Sequence, residues 1–180
     1  KTNPKGAWRY SPESKDADTT ITGAQLVALF ASKNAGVQVP DEAIAKGKKF
    51  LIECQDEKGG FGYTGNSGAN LPRTAIGSLI LALDKDTGSK EFKASIEYLR
   101  ENARFGDQGH KFYSLYYTSQ AMFRASPEDW DKWNLANVRQ LQATQAENGS
   151  WNSNYGSTFA TSVALLSMAL NYRYLPIYER

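Results

Sequence analysis

A short turn recurs along this chain and constrains its fold more than any other feature. It consists of a glycine, one further residue and an aromatic side chain, and it occurs at Gly6 to Trp8, Gly59 to Phe61 and Gly149 to Trp151. A glutamine stands four residues before the glycine in the last two copies, as Gln55 and Gln145. Copies of the turn are spaced by one or two steps of about 45 to 53 residues, with a degenerate copy at 105–109. This period predicts a repeat of helical hairpins.

The segments on either side of these turns differ in character. Those that follow a turn, at 21–31, 75–83 and 159–170, are apolar nearly all round, which is typical of helices covered on every side. Those that precede a turn are amphipathic, with apolar side chains at helical spacing. Inner helices wrapped by an outer ring explain both patterns. The sequence therefore predicts an all-α fold, an α/α toroid (barrel) or an open arc of about seven helices.

Local signals at helix ends agree with this prediction. Capping residues at Asp18, Ser89 and Ser126, and Pro40, mark helix starts. Seven helices make about three and a half hairpins, whereas a closed ring of this type normally has five or six. We therefore expect residues 1–180 to form one toroid domain or the C-terminal portion of one. Such an arc is completed by more chain, by a protein partner or by self-association.

Composition excludes several classes of function. The 21 basic and 19 acidic side chains are spread along the chain, so nucleic-acid binding is not expected. No apolar run is long enough for a membrane-spanning segment. Cys54 and His110 are the sole cysteine and histidine, which excludes an internal disulfide and a Cys/His zinc set. We expect Cys54 to be a buried, inert thiol and His110 to be solvated in a turn, and no cofactor or metal is predicted.

Longer motifs extend across nearly the whole chain. They are Gly6-Ala-Trp-Arg-Tyr10, Asp18-Thr-Thr-Ile-Thr-Gly23, Gly59-Gly-Phe-Gly-Tyr63, the stretches 116–123 and 130–134, and the terminal stretch 172–178. Together with the glutamine-containing turns, they resemble the prenyltransferase/squalene-oxidase repeat proteins of planctomycete-type bacteria, within the squalene–hopene cyclase and protein prenyltransferase superfamily. The resemblance implies an α/α toroid, an unassigned function and an extracytoplasmic location. It also implies that the turn aromatics stack on helix ends while the glutamines cap backbone groups.

Two aspartates before the first apolar segment resemble the acid motif of squalene–hopene cyclases. Aligning through Asp16 makes Asp18 the proton donor, and Thr19 then replaces a supporting acid. Aligning through Thr19 and the following helix needs no gap and puts Ala17 at the donor position, so we prefer it. The catalytic acid is then missing. In that interpretation Asp18 caps the helix that begins near Thr19.

An aromatic face is the second candidate site. Tyr113, Tyr116, Tyr117 and Gln120 recur at helical spacings of three and four residues. In a cyclase such rings stabilise cations at the wall of an apolar cavity. The alternative is packing within the core, and the two roles can overlap.

Other candidate sites have simpler interpretations. The zinc ligands of the protein prenyltransferases and the thioester element of complement-type relatives have no match in this chain. The turn aromatics could stack on a carbohydrate, although the resemblance assigns them a structural role. Trp130 and Trp133 could form an exposed contact, but burial against the next repeat is the preferred interpretation.

Two functional hypotheses follow. The first is a non-catalytic binding or assembly module, since the catalytic set is incomplete. The alternative is an enzyme that acts on an isoprenoid or other apolar ligand, with Asp18 as acid.

Overall fold

The computed structural model describes residues 2–104 and 110–172, and within these ranges the protein is built from seven α-helices and no strands. The all-α prediction is thereby confirmed. The helices are α1 (Thr19–Asn34), α2 (Asp41–Glu53), α3 (Leu71–Leu83), α4 (Lys90–Asn102), α5 (Lys111–Ala125), α6 (Pro127–Thr144) and α7 (Ser157–Met168). A short 3₁₀ turn, Ala169–Tyr172, follows α7. None of these helices is both long enough and apolar enough to cross a membrane.

The helices form two layers. In the inner layer α1, α3, α5 and α7 pack side by side in chain order, and α2, α4 and α6 pack behind them. Each outer helix contacts the two inner helices that it connects. This is the arrangement expected for an arc of helical hairpins, and the structure does not contradict a toroid or an arc.

The inner helices are not equally covered, contrary to the expectation that all of them are. Every residue of α3 from Thr74 to Leu81 is buried. On α1, by contrast, Ala24 and Ala28 are exposed, and Leu165 of α7 is 53 % exposed. The reason is position: α1 and α7 stand at the two ends of the inner row, so each packs against one inner neighbour. The apolar pattern does not reveal which inner helix is terminal.

Side-chain caps set four of the described helix starts. One is Asn70, whose Oδ1 accepts from the Arg73 amide of α3 at 3.1 Å, and the other three are at predicted positions. Asp18, Ser89 and Ser126 each accept a hydrogen bond from the backbone N–H three residues further on, at 2.9–3.1 Å. These bonds satisfy amides that have no partner within the helix. The starts predicted at these residues are confirmed.

The Gly-aromatic turns fasten the layers together. Phe61 is fully buried, and its ring lies so close to Gly77 of α3 that a Cβ there would stand 2.6–2.7 Å from ring atoms. The Gln55 Nε2 donates to the carbonyl oxygen of Gly59 at 3.1 Å and to that of Glu91 in α4 at 2.8 Å. The second turn is therefore tied both to its own glycine and to the next outer helix.

The flanking turns are built in related ways. Trp151 is buried and donates from its indole nitrogen to the Leu141 carbonyl at 2.9 Å, while Gln145 Nε2 binds the Gly149 carbonyl at 2.8 Å. Trp8 is half-buried, and a Cβ on Gly47 of α2 would lie 2.8 Å from its ring. The degenerate turn at 105–109, and the terminal motif after Tyr172, lie outside the described residues.

Candidate functional site

A groove opens where the first turns of all four inner helices meet. Its volume is about 590 Å³. Most of its lining is aromatic or aliphatic, and the rest is polar: Tyr10, Tyr63, Tyr113, Tyr117, Tyr155, Phe159, Ile21, Ala24, Pro72, Thr20, Asn70, Arg73 and His110. A volume in this range is typical of sites for small organic molecules.

One position of the repeat reaches the groove in every inner helix. The third helical residue after the N-cap is Ile21 in α1, Arg73 in α3, Tyr113 in α5 and Phe159 in α7, and all four line the groove. The shared register arises because the same hairpin is repeated side by side. Three of the four residues are apolar or aromatic, and Arg73 is the exception.

Tyrosines from α5 form one wall of the groove. Tyr113 and Tyr117 are one helical turn apart, and their rings meet edge to face with centroids 5.0 Å apart. Burial is the main reason that the pKa of each hydroxyl is raised above its usual range. Both hydroxyls are therefore protonated near neutral pH, so they can form hydrogen bonds with a ligand but are poor general bases.

The other two residues of the predicted aromatic face lie off the groove. Tyr116 packs edge to face on Tyr117, with centroids 5.0 Å apart, and is not part of the lining. Gln120 is 1 % exposed within the core, where its Nε2 makes a long contact of 3.5 Å to the Tyr116 carbonyl. The structure thus brings Tyr113 and Tyr117 into the groove and places Tyr116 and Gln120 behind them.

A cationic corner is formed where α3 begins. Arg73 is half-buried, its Nη2 donates to the Gly68 carbonyl at 2.5 Å, and its guanidinium lies 5.6 Å from the centroid of the Tyr63 ring. Arg9 lies over the same ring at 5.4 Å without lining the groove. Burial, together with a hydrogen bond to Tyr10, raises the pKa of Tyr63 to about 12. The Tyr63 hydroxyl is accordingly neutral beside the arginine.

The opposite rim joins the starts of α5 and α7. His110, the N-cap residue of α5, forms a hydrogen bond between its Nδ1 and the Tyr155 hydroxyl at 2.9 Å. The two rings stack with centroids 6.1 Å apart, and Tyr155 in turn meets Phe159 edge to face at 5.6 Å. His110 is exposed, as predicted for a turn histidine, yet it also contributes to the groove.

The aspartates that resemble the cyclase acid lie outside the groove lining. Asp18 is fully buried, and its Oδ1 accepts hydrogen bonds from the Ile21 amide at 2.9 Å and the Thr20 hydroxyl at 2.6 Å. Its Oδ2 lies 4.0 Å from Nε of Arg9. Oδ1 thus serves as the helix cap, while Oδ2 is buried and makes no hydrogen bond within the described residues. Because Asp18 is outside the groove lining, this geometry gives no support to its use as a proton donor there.

Asp16 lies nearer the surface and is paired with two cations. Its carboxylate contacts Lys5 Nζ at 2.6 Å and Arg9 Nη1 at 2.9 Å. The hydrogen bond from Lys5 is the main reason that its pKa is lowered below the usual range. A lowered pKa is the opposite of what a general acid near neutral pH requires.

The remaining predicted residues take structural positions. Trp130 and Trp133 are buried, and their indole nitrogens donate to Asn171 at 2.6 Å and Ser119 at 2.9 Å, which confirms the preferred interpretation of burial. Cys54 is a buried free thiol, and burial raises its pKa. Its predicted burial is confirmed.

Several groove residues were not identified from the sequence, among them Arg73, Asn70 and Tyr155. Aligning the helix starts by their caps, rather than by their apolar segments, would have brought Arg73 into register with Tyr113.

No family model matches the chain, and no curated protein matches it. The function is therefore argued from the chain's own residues.

Proposed function

We propose that this chain is a helical-repeat binding module, of the squalene-cyclase/prenyltransferase-like type, that holds a largely apolar small molecule in the groove without a complete catalytic set. The observation that carries the proposal is the groove itself. Four helices, each about one repeat apart in sequence, contribute the residue at the same position to one concavity whose lining is mostly aromatic or aliphatic.

The chemistry of the lining favours binding of an apolar body. Ile21, Ala24 and Pro72 offer aliphatic surface, and the rings of Tyr113 and Phe159 offer flat faces. Transfer of such a ligand from water gains roughly 25 cal/mol for each Å² of apolar surface buried. Hydroxyls on the lining provide a few directional contacts, which is the usual composition of a small-molecule site.

A cyclase activity with Asp18 as acid is not part of this proposal. The Asp18 carboxylate is fully buried, and its Oδ1 caps α1 and accepts a hydrogen bond from the Thr20 hydroxyl. No carboxylate of the described residues lines the groove. Binding without acid chemistry is the simpler function for such a lining.

The test uses N-phenyl-1-naphthylamine, a neutral aromatic dye whose fluorescence rises when it leaves water. We expect saturable binding by the wild-type chain and a loss of at least about tenfold in affinity for Ala24→Trp, a factor that corresponds to 1.4 kcal/mol. Ala24 is exposed and lines the groove, so an indole there fills the ligand's space and leaves the core intact.

The matched control is Ala28→Trp, one turn further along α1. Ala28 is also exposed, but it is not part of the groove lining. This variant should bind the dye as the wild type does. Equal affinities for all three proteins, or no saturable binding at all, would refute the proposal.

A further inference from the structure

From the position and environment of Arg73, we infer that the ligand of the groove carries one carboxylate, which binds the Arg73 guanidinium while its apolar body lies against the tyrosines. This inference rests on the proposed function, because it names the class of ligand for the same groove. The additional support comes from the charges around the groove and not from its shape.

Arg73 occupies a position that is apolar or aromatic in the other three inner helices. Its equivalents are Ile21, Tyr113 and Phe159. A cation is therefore not needed for the packing of this position in the repeat. Its presence in α3 alone indicates a role specific to this corner of the groove.

No carboxylate of the described residues balances the charge of Arg73. Within residues 2–104 and 110–172 it forms no ion pair with a carboxylate, and its Nε is buried without a hydrogen-bond partner. None of the residues in these two ranges that line the groove is acidic. A half-buried cation of this kind is stabilised when an anion binds it.

Helix ends add to the positive potential of the groove. The side chain of His110, the N-cap residue of α5, makes no hydrogen bond to the amides of the first turn. The N-cap residue of α7 is Gly156, which has no side chain to do so. The partial positive charge of a helix N-terminus favours an anion nearby. The N-termini of α1 and α3, in contrast, are capped by Asp18 and Asn70.

The number of cations limits the charge of the head group. Among the described residues that line the groove, Arg73 is the one with a permanent charge, and its planar guanidinium matches a planar carboxylate through paired hydrogen bonds. A diphosphate needs several cations or a divalent metal. The described part of the chain has no group of three or more His, Cys, Asp or Glu side chains placed to hold such an ion. One carboxylate therefore fits the groove better than a phosphate ester does.

The test compares ligands with the same tail and different head groups. Dodecanoate, dodecanol and dodecyl phosphate, each kept below its micelle-forming concentration, compete with N-phenyl-1-naphthylamine for the wild-type protein. We expect dodecanoate to bind about 10- to 100-fold more tightly than dodecanol, as is usual for a charge-assisted hydrogen bond. Dodecyl phosphate should bind no more tightly than dodecanoate.

Arg73→Gln removes the charge and retains a planar, polar end. This variant should bind dodecanoate and dodecanol equally. The quantity compared is the ratio of these two affinities within one protein, so a change in its affinity for the neutral dye does not affect the result. Arg73→Lys should keep part of the preference for dodecanoate. The control is Arg9→Gln, because Arg9 lies over the same Tyr63 ring without lining the groove, and it should keep the full preference.

The outcomes separate this inference from the proposed function. If the dye binds, but the wild type and Arg73→Gln each bind dodecanoate and dodecanol with equal affinity, the inference of a carboxylate ligand is refuted. The proposal of an apolar binding groove is then unaffected. If the wild type binds dodecyl phosphate more tightly than dodecanoate, and Arg73→Gln abolishes this preference, the inference of a carboxylate is wrong and the ligand carries a phosphate. Failure of the dye to bind refutes the proposed function itself. Far-ultraviolet circular dichroism checks that each variant is folded.

Discussion

Two equivalent glycines in the repeat should respond very differently to the same substitution. Gly59 and Gly149 hold the same place in the two turns that carry a glutamine, and both have positive φ, +86° and +81°. Alanine is strained in this conformation, by roughly 1–2 kcal/mol. The surroundings differ, however. A Cβ on Gly59 would overlap the backbone carbonyl of Ala94 in α4, whereas the nearest atom at Gly149 is Gln145 Nε2 at 3.9 Å.

The expected magnitudes follow from these surroundings. Gly149→Ala should lower the free energy of unfolding by the conformational strain alone, about 1–2 kcal/mol. Gly59→Ala adds overpacking of about 1–3 kcal/mol, because a carbonyl within a helix moves only if the helix moves. Gly59→Ala should therefore be the more damaging of the two by at least about 1 kcal/mol.

Urea unfolding followed by circular dichroism measures this difference. For a chain of this length, each kcal/mol corresponds to about 2–4 °C in Tm, so thermal unfolding provides a second measurement. Gly88→Ala is the control, because Gly88 has no positive φ and a Cβ added there would meet no atom within 4 Å, so this variant should be neutral or slightly stabilising. Equal losses for Gly59→Ala and Gly149→Ala would show that the turn does not approach α4 as described.

Two further predictions concern carboxylates. Asp18→Asn keeps an equally good cap, so it should change the free energy of unfolding by less than about 1 kcal/mol and leave dye binding intact, whereas Asp18→Ala should cost about 0.5–2 kcal/mol. Loss of dye binding in Asp18→Asn would instead point to a role for the acid at the groove. At the start of α6, two hydrogen bonds of 2.8 Å from Arg100 lower the pKa of Asp129. Their contribution is complete above the unfolded pKa of about 4 and is lost as the pH falls through the lower folded value. The difference in unfolding free energy between wild type and Asp129→Asn should therefore shrink below about pH 4, and a constant difference would contradict this reasoning.

The fold was predictable because its signals are local. A cap such as Ser126, a turn such as Gly59 to Phe61, and an amphipathic outer segment each act within a few residues, and the repeat multiplies them. The exposure of Leu165 was not predictable in this way. It depends on which inner helix ends the row, and that is a property of the assembled layers rather than of any segment.

The site was predictable only in part, for a related reason. Tyr113 and Tyr117 share one helix face, so their spacing suggested that they lie together. Arg73 and Tyr155 reach the same groove from other repeats, and no local pattern joins them. For Asp18 the sequence allowed two roles, a helix cap and a proton donor. A carboxylate can serve in either role, and only its orientation in the folded chain decides between them.

The first turns of α1 and α3 contain both the side chain that caps the helix and a side chain that lines the groove. At the start of α1 and α3 the N-cap side chain, Asp18 or Asn70, binds the amide of the third helical residue. The side chain of that third residue, Ile21 or Arg73, lines the groove. At α1 the cap and the groove contact thus fall on different residues of the same turn, whereas at α3 Asn70 caps the helix and also lines the groove. Exposed lining residues such as Ala24 contribute little to the core, so they can change with little effect on the fold. A single arginine at a position that is apolar or aromatic in the other inner helices gives the groove a charged end.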